Sequence, residues 1–410
     1  MSLISNGAGE SADANFYNGV ITSSLRFNEV SDSRLDSPSF ASDGGDTWTW
    51  SAWVKLCDLG TRQCLFGRAG NNAGLYFNDT VNTFKFQFND DGAVVCTAPA
   101  LRRDPSAWYH VAFNGNGTIN KLWVNGVEQT FDSNPNLGKI NEAVVHKIGF
   151  GISTTYSYDG QMADVNFVDG TALDYTAFAE FKNGILIPIE PSVTYGDNGF
   201  RLQFKGTGTS ANSSGIGADT SGNDSHFTVV NLNAHDVLPD NPENNFATWN
   251  PLYRMYGDTR AATLTEGNLD STAAGANDRE YNMSTIAVTE FLKSSSSGDG
   301  VYMEVRLPTV SGADNGYIGL LSQSRSDSRP DGATSRSDNS GHSHYHLISP
   351  NGRTLLEAGE SSSDGDLDGL DGAQTDGAVI GWAVKNDGKF FISVDGTFST
   401  NVAGNAQNPV

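Results

Sequence analysis

A strict alternation of large apolar and small or polar side chains most constrains this chain. In Trp48-Thr49-Trp50-Ser51-Ala52-Trp53-Val54, the side chains of Trp48, Trp50, Ala52 and Val54 fall on one face of an extended backbone and Trp53 on the other. A period of two is a strand packed against a core. Phe84, Phe86 and Phe88 share a face in the same way, and 109–113 and 121–124 read as two more strands. Asn125-Gly126 follows the last of these, where a tight hairpin needs positive φ. Similar turn pairs recur at Asp169-Gly170, Asn198-Gly199, Asn315-Gly316, Asn351-Gly352, Asp387-Gly388 and Asp395-Gly396. Glycine is 46 of 410 residues, above the usual ~7%. Strands at this spacing, separated by such turns, predict an all-β protein of antiparallel sandwiches. One short helix is expected over 174–182, capped by Asp174 with Phe178 and Phe181 on one side. No heptad pattern and no 20–50-residue repeat is present.

The formal net charge is −23, from 25 Lys and Arg against 48 Asp and Glu. That field repels phosphate backbones and anionic membrane surfaces, so neither nucleic acid nor membrane is an expected partner. The 22 Phe, 13 Tyr and 7 Trp are enough to build cores. Of the three cysteines, Cys57 and Cys64 could bridge only by leaving Cys96 over. Three reduced, mostly buried thiols are expected instead. No CxxC pair is present for a redox site or zinc ribbon. Residues 1–25 hold no Lys or Arg and no signal-peptide core, and no apolar run reaches the ~18 residues of a membrane helix. If the protein works outside a cell, it is expected to get there by lysis or on an assembled particle.

The length predicts two or three domains. Composition breaks at 206–224 (Gly, Ser, Thr, Asn), at 239–251 (three prolines) and at 322–340 (Ser, Asp, Arg). They divide the chain into an N-terminal arm (1–20), a first sandwich (21–205), a connector (206–250) and a second sandwich (251–410).

Several motifs occur in a telling order: Ser24-Leu25-Arg26-Phe27, then WTWSAWVK from Trp48, Trp108-Tyr109-His110-Val111, LWVNG from Leu122 and GQMADVNFV from Gly160. This resembles the laminin-G-like, concanavalin A-type jelly roll. GIGADTSGNDSHF from Gly215 and Asn244-Asn245-Phe246-Ala247-Thr248 look like the connector of a narrower group. In that group a jelly roll precedes a SPRY-like sandwich, and its members are structural proteins of tailed bacteriophages, many of them marine. Val379-Ile380-Gly381-Trp382-Ala383-Val384, Asp387-Gly388-Lys389 and the stretch 390–396 look like the paired strands of such a SPRY-like domain. A SPRY-like domain runs several strands further than Val410. The resemblance therefore implies C-terminal strands not retained, strands supplied by another chain, or a shortened variant.

Jelly rolls of this type also host glycan-cleaving enzymes, which need two carboxylates across the sugar. No Glu here has Asp two positions on, and no Gly-x-Ser-x-Gly, His-Glu-x-x-His or phosphate-loop motif is present. The protein is expected not to be an enzyme and to require no cofactor. Two metal candidates stand out. His342, His344 and His346 would line one face of a strand, and copies around a threefold axis could hold a transition metal. The plainer reading is an exposed, partly aromatic strand, and it takes precedence. Asp364, Asp366 and Asp368 fit the start of a Ca2+ loop, but its twelfth position is Thr375 rather than Glu. There the plainer reading is a solvated acidic hairpin loop. Trp48, Trp50 and Trp53 are framework residues, so sugar contacts are expected on loops at the sandwich ends.

The expected function is a non-enzymatic virion protein of a tailed phage. It would be a tail-fibre or head-decoration component, trimeric by default, made in the host cytoplasm and docked to other virion proteins. It would display adhesive sandwiches to host-surface glycans or proteins through multivalent weak binding. A secreted carbohydrate-binding lectin or adhesin and a glycan depolymerase are the alternatives.

Overall fold

The structure, a computed structural model, describes 16–252 apart from 42–44, 71–72, 78–84, 91–92, 99, 119, 131–137 and 152. Beyond these it describes 263–272, 282–286, 300–306, 318–320, 346–348, 355–356, 377–385 and 390–398. The chain divides into two compact units. One comprises Glu10–Asn245 with Leu264–Asp270, and the other includes Phe246–Thr263 and Ser271–Val410.

The first unit is a two-sheet antiparallel sandwich. Its strands in chain order are β1 (Ser24–Phe27), β2 (Arg34–Asp36), β3 (Thr47–Leu56), β4 (Gln63–Arg68), β5 (Gly74–Phe77), β6 (Phe86–Asp90), β7 (Ala93–Thr97), β8 (Trp108–Asn116), β9 (Asn120–Val124), β10 (Val127–Gln129), β11 (His146–Ile148), β12 (Gly160–Asp169), β13 (Ala179–Lys182), β14 (Ile185–Pro188), β15 (Phe200–Leu202), β16 (Thr228–Val230) and β17 (Val237–Leu238). The first sheet runs β10-β9-β8-β3-β12-β1-β17, with β15 also on β12, and the second runs β16-β2-β11-β4-β5-β6-β7.

Alternation along β3 is realised as the sequence requires. Trp48, Trp50, Ala52 and Val54 enter the core between the sheets. Trp53 joins Trp108, Ala163, Ala179 and Ile21 in a cluster outside that core. Trp48 packs on Phe113 at 5.4 Å between centroids and Trp50 on Phe66 at 6.3 Å. Burying a ring of this size removes roughly 200 Å² from water, worth about 5 kcal/mol before entropy is counted. Cys57 and Cys64 are buried free thiols, and burial pushes Cys64 up to about 12. The Cys96 side chain lies outside the described residues.

The segment read from composition as a connector contributes Ile216, Phe227 and Leu232 to the jelly-roll core, and its β16 and β17 extend both sheets. Its end closes over the first sheet through a buried ion pair. Lys55 Nζ donates to Asp240 at 2.9 Å and to Asn245 Oδ1 at 2.8 Å, while Trp108 Nε1 donates to the other Asp240 oxygen at 3.1 Å. Residues 16–21 dock on the same unit. Glu243 accepts from the backbone N–H groups of Gly19, Val20 and Ile21 at 2.7, 3.0 and 3.1 Å.

The helix expected over 174–182 is replaced by a single 3-10 turn, Tyr175–Ala177, and the β13–β14 hairpin. Asp174 does cap, accepting from Thr176 N, but Phe178 is 2% exposed and Phe181 is 53% exposed. The hairpin turns at Asn183-Gly184, where φ is 52° and 82°. That pair is the competing signal the helix reading overlooked. Among the described residues there is no α-helix.

In the remaining strands, β18 (Thr263–Thr265) pairs with β19 (Asp270–Thr272). A four-stranded sheet joins β20 (Gly300–Arg306), β24 (Val379–Lys385), β25 (Phe390–Val394) and β26 (Thr397–Phe398) in that order. A three-stranded sheet joins β21 (Ile318–Leu320), β22 (His346–Ile348) and β23 (Leu355–Leu356). The motif pair expected at 379–384 and 390–396 is thus an antiparallel ladder, with Trp382 opposite Ile392.

Candidate functional site

The sequence-named metal candidates receive no support from described side chains. His342, His344, Asp364, Asp366 and Asp368 lie outside the described residues, and His346 is described only as the backbone that opens β22. Among the described residues, no group of three or more His, Cys, Asp or Glu is arranged to hold a metal ion.

Binding chemistry collects instead on the outer face of the second sheet. Leu35 and Ile148 point into the core, so Arg34, Asp36 and Lys147 alternate outward. Register aligns Asp36 with Lys147, Lys147 with Gly67 and Gly67 with Gly74. The two glycines leave a strip of β4 and β5 without side chains, and the loop 149–158 lies on it. A Cβ on Gly67 would meet Phe150 O at 3.0 Å. Gly149 starts that loop at φ +81°, and a Cβ there would fall 2.4 Å from the Phe27 ring. The loop closes on itself, with Tyr158 N donating to Gly149 O at 2.9 Å. The Ser157 hydroxyl ties it to Asp32 at 2.8 Å, and the Tyr158 hydroxyl ties it to Lys55 O at 2.8 Å.

This loop delivers two rings to the face. The Arg62 guanidinium stands 4.4 Å from the Tyr156 centroid and 4.7 Å from that of Tyr76. The two tyrosines meet edge to face at 6.1 Å. Beside them, Arg34 and Lys147 share the Phe150 ring at 4.7 and 4.8 Å. Arg34 also bonds Asp36 at 3.1 Å. Tyr76 is fully buried, and burial pushes its phenol up, so it stays neutral. Arg62, Lys147 and Tyr156 are half-buried, with part of each open to solvent. Each cation–ring contact is worth about 0.5–1 kcal/mol at such a position. The face therefore presents cationic groups and aromatic rings side by side, the combination that suits a polar ligand.

The sandwich-end loops, where sugar contacts were expected, hold a cavity of about 70 Å³ lined by Phe40, Asn198, Phe200 and Phe227 among others. That falls well below the ~300 Å³ of ordinary ligand pockets.

A third feature is a group of carboxylates under the Leu264–Asp270 segment. Asp159 accepts from Gly267 N at 3.1 Å and is 4% exposed. Burial first, then the charges of Glu29 and Asp58, push it up to about 8. A carboxyl sealed beneath backbone in this way has no access to a glycosidic bond.

Sequence reasoning did not single out Arg34, Arg62, Lys147, Phe150 or Tyr156. The one usable signal was the scarcity of cations in a strongly acidic chain, and these are dispersed over β2, β11 and the approach to β4.

Residues 29–174 match the family profile of the concanavalin A-like lectin/glucanases superfamily, which covers the strands that build this face. None of the curated proteins matches this sequence. Among solved structures, a candidate carbohydrate-binding protein of Bacteroides ovatus is similar at 15% identity and TM-score 0.37, covering 51% of this chain and 58% of that one. A heptameric SAP-like pentraxin of Limulus polyphemus is similar at 17% identity and TM-score 0.31, covering 44% of this chain and 94% of that one. A Trypanosoma rangeli sialidase is similar at 15% identity and TM-score 0.26, covering 32% of this chain and 21% of that one. The chain thus spans little more than half of the Bacteroides protein and about a fifth of the sialidase.

Proposed function

We propose that this protein is a non-enzymatic glycan-binding protein whose contact surface is the outer face of the second sheet. The observation that carries this reading is the gathering of cations against rings on the outer face of the second sheet of a lectin-like sandwich, Arg62 at Tyr76 and Tyr156, and Arg34 and Lys147 at Phe150. We place it on the virion of a tailed phage, as a tail-fibre or head-decoration component with a SPRY-like second sandwich. The sequence resemblance at 215–227 and 244–248 and the β24–β25 ladder support this placement. Several copies on one particle, a trimer in the simplest fibre, raise the effective concentration for weak sites. No glycan is cut. A secreted lectin or adhesin fits the same lectin-like fold.

Two measurements test the reading. Immunogold electron microscopy of lysates should put gold on particles. Gold on cell surfaces or free in the medium, with bare particles, selects the secreted lectin. A glycan panel probed with the full chain should give binding without release of reducing sugar. Binding to no glycan defeats the reading, and sugar release replaces it with a depolymerase.

A further inference from the structure

We propose that Lys55 and Asn245 join covalently, their side chains forming an intramolecular isopeptide bond with Asp240 as the group that moves the protons.

The first ground is proximity. Lys55 Nζ stands 2.8 Å from Asn245 Oδ1 and 2.9 Å from Asp240 Oδ2. The orientation of the Asn245 amide follows from its partners. Oδ1 accepts from the ammonium, and Nδ2 donates to Ser106 O at 2.8 Å. The amine nitrogen thus lies in contact with a carboxamide whose carbon can undergo acyl transfer. A turn about the Asn245 Cβ–Cγ bond brings the amide face to Nζ with both backbones in place. Holding the two groups together replaces a bimolecular encounter with a step inside one molecule.

The second ground is the proton path. Lys55 and Asp240 are buried, and the other Asp240 oxygen accepts from Trp108 Nε1 at 3.1 Å. The tryptophan holds the carboxylate with one oxygen on the ammonium. That ion pair is the state from which the bond forms. The Asp240 carboxylate takes a proton from the Lys55 ammonium, and the neutral amine attacks Cγ of Asn245. Asp240 returns that proton to Nδ2, and the attacking nitrogen gives up a second one. The Cγ–Nδ2 bond then breaks with release of ammonium, and Asp240 ends as a carboxylate. Nothing is oxidised or reduced. Asn245 is exposed, so the departing ammonium has a way to solvent.

The third ground is position. Asn245 is the last residue of the jelly-roll unit before the chain crosses to the second unit at Phe246. Lys55 lies on β3, between β8 and β12 within the first sheet. The bond would span 190 positions and tie the exit of the jelly roll to an inner strand. Tension entering at residue 246 would pass to β3 without unravelling the strands between. Cys57 and Cys64 are free thiols, and an isopeptide bond needs no oxidant. It would form whatever the outer face of the second sheet binds.

The experiment is intact-mass measurement and peptide mapping of the full chain, freshly purified and after prolonged incubation in the folded state. The mass should fall below that of the sequence by one ammonia, and a tryptic digest should yield a branched peptide joining the segments around Lys55 and Asn245. Asp240→Asn keeps the size of the side chain without its proton transfer, and Asn245→Ala removes the acyl group at an exposed position. Both variants should show the full mass. Asn245→Ala should also melt roughly 10 °C below the linked chain, as expected for loss of a cross-link that closes a long loop. Full mass in the natural chain, with no branched peptide, overturns the inference. So does an ammonia deficit without the branched peptide, which assigns the loss to a succinimide at an Asn-Gly turn. A bond that forms as fast in Asp240→Asn overturns the role given to Asp240.

Discussion

Lys55 shows how one side chain can hold a domain closed. Its ammonium is fully buried and answered by Asp240 and Asn245, 185 and 190 positions away. Asp240→Ala would remove the carboxylate that this sealed charge pairs with. Loss of one partner from a buried pair costs about 3–5 kcal/mol, whereas replacing both by apolar groups of similar volume is close to neutral. Chemical denaturation should show that asymmetry between Asp240→Ala and the double variant Lys55→Met with Asp240→Leu. Asp159 gives a pH dependence of definite sign. Its carboxyl sits at about 8 in the fold, against ~3.9 in an unfolded chain. The folded state therefore keeps a proton that the unfolded state gives up between these values. Stability should fall as pH rises from about 4 to about 8 and level off beyond. Asp159→Asn should remove most of that slope in denaturation curves taken across the range, while still accepting from Gly267 N. At this scale the sequence was informative about Trp48, Trp50 and Trp53, whose faces follow from alternation alone. It was silent on Lys55 and Asp159, whose partners are brought together only by tertiary structure.

Elements tell a similar story of local signals and their limits. Asn125-Gly126 turns β9 into β10 with φ of 50° and 75°, as a two-residue hairpin requires. Asn183-Gly184 does the same between β13 and β14, and it overrides the helical spacing of Phe178 and Phe181. The loop 149–158 is the element on which the candidate surface depends. Gly149→Ala would force a left-handed φ on a residue with a Cβ and drive that atom into Phe27. A loss of about 2–4 kcal/mol is expected by thermal or denaturant unfolding, together with weakened glycan binding, because Phe150 and Tyr156 lose their placement. The loop was not legible beforehand. Its ordering comes from a glycine strip on β4 and β5 that becomes continuous only once register is set.

For the whole molecule, the chain's return to the first unit has a direct consequence. Leu264–Asp270 belongs to the jelly roll. Glu266 pairs with Arg26 at 2.9 Å, and Asn268 donates to Cys57 O at 2.6 Å. A chain cut after Asn245 should therefore melt lower than one cut after Thr272, and its Asp159 should titrate nearer the ordinary carboxylate range. Equal melting temperatures would contradict that account. The jelly-roll order and the β24–β25 ladder were readable because both are local patterns repeated along the chain. The packing of Ile216, Phe227 and Leu232 into the core was hidden by the Gly-, Ser- and Asn-rich residues around them. The cationic face was hidden because its members come from β2, β11, the loop 149–158 and the approach to β4. The most direct test of that face is hydrogen exchange on the full chain, with and without a saturating glycan ligand. Protection concentrated at 62–68 and 149–158 is the expected result. Protection confined to the sandwich-end loops 37–41, 197–198 and 225–227, or to the second unit, would contradict the account.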